Sequence, residues 1–121
     1  MSGFFNGVLH VNGQDTAANG DVDKTLIAAP GAGKRIYVQT VHISVLVGGT
    51  DAGGLASLED GVGGTKFFSV DADATTSALT YSHNFGEPGW PLALNTALNL
   101  TVDGDGTAEA TAQAVVTGIV I

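Results

Sequence analysis

Arg35-Ile36-Tyr37-Val38-Gln39-Thr40-Val41-His42-Ile43-Ser44-Val45-Leu46-Val47 is the stretch on which the fold turns. It is rich in β-branched residues, and its apolar and polar side chains largely alternate, the pattern of a strand with one buried face. The phase changes partway: Ile36 and Val38 are even, whereas Val41, Ile43, Val45 and Val47 are odd. A strand keeps its apolar side chains on one face across such a slip only by inserting an extra residue against its partner. The sequence therefore predicts a β-bulge near Gln39-Thr40 and a strand that bends there.

The same period recurs on both sides. Leu79, Tyr81, His83 and Phe85 alternate with Thr80, Ser82 and Asn84; Leu98, Leu100 and Val102 alternate with Asn99 and Thr101. Strands are expected over 4–11, 24–29, 35–47, 54–59, 65–70, 77–85, 96–102 and 109–121. The alanines of 107–114 invite a helix, but Ala110, Ala112, Ala114 and Val116 continue the two-residue alternation, so the segment is read as strand. Its alanine face suits either a tightly packed interior or the close approach of another subunit. Turn clusters such as Asp60-Gly61-Val62-Gly63-Gly64, Glu87-Pro88-Gly89 and Asp103-Gly104-Asp105-Gly106 separate the runs. About eight short strands with such spacing predict an all-β, antiparallel β-sandwich, with the jelly roll as the commonest eight-stranded solution.

A chain of 121 residues is long enough for one such core and too short for two ordinary domains. Residues 12–23 are polar and contain glycine, so 1–23 are read as an N-terminal strand or docking arm and 24–121 as the sandwich domain. There is no cysteine, which excludes disulfides and thiolate chemistry. The start, Met1 to Gly7, lacks the basic region and apolar core of a signal peptide. No apolar stretch approaches the ~20 residues of a spanning helix.

Twelve acidic residues against four basic ones (Lys24, Lys34, Arg35 and Lys66) give a formal charge of −8. Such a field repels phosphate, so neither nucleic acid nor an anionic membrane is an expected partner. Only 13% of residues are charged while 44% are hydrophobic. That combination suits an uncharged Thr/Ser/Asn/Gly surface or one covered by neighbouring subunits.

No catalytic, cofactor or metal site is expected. Ala28-Ala29-Pro30-Gly31-Ala32-Gly33-Lys34-Arg35 imitates a phosphate loop, but Ala28 stands where the first glycine belongs, Arg35 replaces the hydroxyl residue, and a strand follows. His10, His42 and His83 sit in separate strands, where nothing in the spacing makes them converge on a metal. Asp71/Asp73 and Asp103/Asp105 have calcium-like oxygen chemistry without a calcium-loop pattern, and read as solvated turn residues. Glu59, Glu87 and Glu109 have no spacing that pairs them for glycoside cleavage. The lone Trp90, in Gly86-Glu87-Pro88-Gly89-Trp90-Pro91, is either a sugar or protein anchor or a plug over one end of the sandwich.

The Ala-Pro-Gly-x-Gly-Lys-Arg turn at 29–35 running into its long β-branched strand resembles small structural proteins of tailed bacteriophages, of the head decoration (cement) type. The resemblance continues through Leu58-Glu59-Asp60-Gly61 and through 91–102 into the Thr/Ala/Val-rich closing strand, covering roughly residues 25–121. It implies a jelly-roll or β-sandwich virion subunit that needs no cofactor and is not an enzyme. It also implies a protein made in the host cytoplasm and bound to the head surface, as a homo-oligomer, a trimer for preference, at junctions between major capsid protein subunits. Phe4, Phe5, Lys34, Arg35 and Trp90 are the candidate interaction residues. The alternative is a carbohydrate- or receptor-binding module of a phage head fibre or tail, using Trp90, Tyr81 and nearby loop aspartates.

Overall fold

The computed structural model describes residues 9–17, 24–46, 55–71, 79–102 and 111–121. They form nine strands: β1 (Leu9–Ala17), β2 (Lys24–Ile27), β3 (Ile36–Leu46), β4 (Leu55–Asp60), β5 (Thr65–Asp71), β6 (Leu79–Asn84), β7 (Trp90–Pro91), β8 (Leu98–Val102) and β9 (Thr111–Val120). No helix occurs among the described residues.

All pairings are antiparallel and build two sheets, β1-β9-β3-β6 and β2-β8-β4-β5, with β7 added to the first beside β3. The partners nest from the outside inward: β1 with β9, β2 with β8, β3 with β6, β4 with β5. A long antiparallel ribbon folded over into two sheets gives this order, so the sandwich is a jelly roll, as the turn-separated alternation predicts.

The phase change in β3 has the expected cause. Its register with β9 shifts between Val38 and Thr40. As a result Ile36 and Val38 on one side, and Val41, Ile43 and Val45 on the other, all reach the core, each no more than 2% exposed. Two different neighbours use the two halves: β7 pairs at Tyr37 and Val38, β6 from Thr40 to Val45. On the other flank the bulge is crowded, since a Cβ on Gly118 would lie 2.4 Å from the Tyr37 carbonyl oxygen. Only glycine admits that approach.

The core interleaves these residues with Ala112, Ala114 and Val116 of β9 and with Leu58, Leu98, Leu100 and Val102 from the facing sheet. Each Leu or Ile removed from water in this way contributes about 1.5–3 kcal/mol. The alanine face of β9 lies inside the sandwich, so its smallness serves sheet-to-sheet packing.

Three expectations are corrected. The first strand, placed at 4–11, runs from Leu9 to Ala17 among the described residues, through polar positions read as a separator. Paired along its whole length with β9, it hydrogen-bonds through its backbone whatever its side chains are. The two-residue β7 was not anticipated, because Pro91 can pair only as a sheet-edge residue. Finally, β8 is buried on both faces, including Asn99 and Thr101, although its alternation reads as half-buried. Of the readings kept for 1–23, residues 9–17 are a strand of the sandwich, and 1–8 and 18–23 lie outside the described residues.

Candidate functional site

The phosphate-loop imitation is a turn. The Lys34 N–H donates to the Gly31 carbonyl (3.1 Å), and β3 follows directly. Asn95, in the left-handed region at φ 50°, clamps it from both sides. Its Oδ1 accepts from the Gly31 N–H (2.9 Å) and its own N–H donates to the Lys34 carbonyl (2.7 Å). Arg35 extends the β3–β9 ladder by exchanging two backbone hydrogen bonds with Ile121. Asn95 lies far from this turn in sequence, and only its tolerance of positive φ hinted at a special role.

Lys34 also borders an apolar depression of about 400 Å³, where it is the one charged side chain among Leu9, Val11, Ile27, Ala28, Pro30 and Val120. Leu9, 62% exposed, forms part of its rim. Phe4 and Phe5, five and four residues before Leu9 in sequence, lie outside the described residues.

Trp90 belongs to an aromatic cluster at the opposite edge. Its ring stacks on Phe67 (centroids 5.6 Å apart, planes within 6°) and lies 6.1 Å from Phe85. Phe85 in turn meets Phe68 edge-on, and His83 packs on both. Phe67 and Phe68 come from β5, whereas His83 lies on β6 and Trp90 on β7, so the cluster bridges the two sheets. Trp90 remains 44% exposed. The glycan alternative joins it to Tyr81, but Trp90 pairs with Val38 and Tyr81 with Ile43. That separation is about 15 Å along β3, and Tyr81 is half-buried against the core, so the two rings do not share a subsite.

The histidines stay apart. His10 is on β1 and His83 in the aromatic cluster, while His42 lies on the outer face of β3 with Nδ1 2.8 Å from the Ser82 hydroxyl. Among the described residues no three His, Asp or Glu side chains gather as a metal site. Asp73, Asp103, Asp105 and Glu109 lie outside those residues; Glu59 is buried in β4 and Glu87 is exposed after β6.

Most distinctive is the outer face of the β1-β9-β3-β6 sheet. The registers align three rows across its four strands: Asn12-Thr117-Thr40-Asn84, then Gln14-Val115-His42-Ser82, then Thr16-Gln113-Ser44-Thr80. No Asp, Glu, Lys or Arg occupies any of these positions. All are exposed except the half-buried Thr40 and Ser44. A shallow depression of about 430 Å³ runs beside His42, Val115 and Thr117. On the other sheet the outward polar residues of the central strands β4 and β8, Ser57, Glu59, Asn99 and Thr101, are instead at most 5% exposed, while Thr25, Lys66 and Ser69 on the flanking strands are exposed. Ser57 and Ser69 share a hydrogen bond (2.8 Å). Asn99 lies with one amide terminus 3.3 Å from Thr25 Oγ1 and the other 3.2 Å from the Val62 N–H, an arrangement satisfied by NH₂ toward Thr25 and oxygen toward Val62.

No family model matches the sequence, and no curated protein matches it. Among solved structures, a chain of the cyanophage Pam1 capsid asymmetric unit shares the fold, with a TM-score of 0.53 at 16% identity, over 93% of this chain and 85% of that one. The tobacco streak virus coat protein aligns with a TM-score of only 0.38 at 10% identity, over 93% of this chain and 86% of that one, too low to carry an argument. At these identities what is shared is the architecture: this chain has a jelly roll of a kind also found in a phage capsid.

Proposed function

We propose that this chain is a structural protein of a tailed-phage particle, acting as a decoration (cement) protein that binds the assembled head at junctions between major capsid protein subunits. The observation that supports it is the shared fold, a jelly roll aligned over nearly its whole length with a chain of a phage capsid. The surface fits the role: a low-charge exterior and an apolar depression, both suited to being covered. A protein that binds only the assembled shell stabilises it by mass action, without chemistry of its own. In this reading Phe4 and Phe5 anchor the chain to the shell, Lys34 and Arg35 lie beside that contact, and a trimer occupies each junction.

Co-sedimentation of the purified protein with expanded heads of its phage tests the proposal. Saturable binding that raises the temperature of head disruption is expected; no binding at micromolar concentration overturns it. The second reading, a carbohydrate- or receptor-binding module of a head fibre or tail, is favoured by one observation, the exposed Trp90 ring backed by Phe67. Glycan-array binding abolished by Trp90→Ala would support that reading instead.

A further inference from the structure

We infer that the outer face of the β1-β9-β3-β6 sheet is a contact surface between copies of this chain. Each copy carries a formal −8, so two copies repel wherever carboxylates meet. None of the twelve positions in the three rows on this face holds an acidic residue, and none holds a basic one. It is a broad sheet surface on which two copies can approach without placing like charges opposite one another.

Its chemistry narrows the occupant. A nucleic acid or an anionic membrane would need cations here, and a strongly charged protein partner would need counter-charges; the three rows hold neither. A glycan would need an aromatic platform, and the three rows contain none. What the face does offer is hydroxyls, amides and an imidazole, each able to hydrogen-bond to the same groups on a second copy. Val115, 38% exposed, supplies an apolar centre beside His42. On the other sheet the outward polar residues of the two central strands are buried and the exposed flanking positions include the charged Lys66, so an uncharged open row across four strands occurs on this face.

Size sets the strength. Strands about 4.8 Å apart with outward residues about 6.8 Å apart give the patch a footprint of roughly 400 Å². Stable complexes bury about 800 Å² on each partner. The contact is therefore weak in dilute solution and becomes populated where other attachments hold copies side by side. This inference does not rest on the virion reading: it is measured on the free protein, and failure to bind heads would leave it intact.

The absence of native cysteine makes single-cysteine probes clean. Val115→Cys and Ser82→Cys, treated with a short bis-maleimide at high protein concentration, should give at least tenfold more crosslinked pairs than Ala93→Cys, an exposed position off the face. A yield equal to that of Ala93→Cys overturns the inference. In sedimentation equilibrium, the Gln113→Asp/Thr117→Asp variant and the Gln113→Lys/Thr117→Lys variant should each lose self-association, and an equimolar mixture should regain it. Association that persists in the aspartate variant, or a mixture no more associated than either variant alone, also overturns it. All five substituted positions are exposed, so the core is left untouched.

Discussion

At the β1–β2 edge the two sheets come into backbone contact: a Cβ on Gly13 would lie 2.0 Å from the Leu26 carbonyl oxygen and 3.1 Å from Ile27 Cγ1. At the β5–β6 edge the backbones do not approach in this way, and the gap is filled by the rings of Phe67, Phe68, Phe85 and Trp90 with His83. One edge closes by removing a side chain, the other by adding several. The first is intolerant of any atom; the second spreads its energy over many partial contacts and should degrade gradually.

Four outcomes would break or sharpen that contrast. Gly13→Val should have the largest effect, lowering unfolding free energy by about 3 kcal/mol or more, because backbone must move to make room; a change below about 1 kcal/mol in urea melts would show that the edge yields. Phe85→Ala removes the ring touching Phe67, Phe68, His83 and Trp90 and should cost about 2–3 kcal/mol by the same measurement, less than for a fully buried ring. The stacked pair should be milder: a Phe67→Leu/Trp90→Leu double-mutant cycle is expected to give a coupling of about 1 kcal/mol. Coupling near zero would mean that the parallel stacking of Trp90 contributes area alone. Val62→Ser, in the turn between β4 and β5 and 77% exposed, serves as the baseline and should stay within about 0.5 kcal/mol.

The two edges were unequally legible in the sequence. Gly13 stands in a polar stretch, Val11-Asn12-Gly13-Gln14-Asp15, where glycine reads as a turn signal. Its role in a close approach follows only from Leu26, which the topology brings opposite. The aromatics were visible one at a time, but nothing local groups positions 67, 68, 83, 85 and 90. The uncharged outer face falls between these cases. Its members are the polar partners in the strand alternation, yet the rows exist only once strands distant in sequence are set in register.

What the sequence determined by itself was everything carried by period two: the all-β class, the core side of β3, and the bulge near Gln39-Thr40. Side-chain alternation is a local property of an extended backbone, so it survives without knowledge of partners. Tertiary structure alone decided which strands are neighbours, that β8 is covered on both faces, that Asn95 clamps the turn at Gly31–Lys34, and which polar face stays open. Each of these depends on contacts between residues far apart in the chain. Alternation shows that a strand has two faces; only the packing of the sheets determines what each face meets.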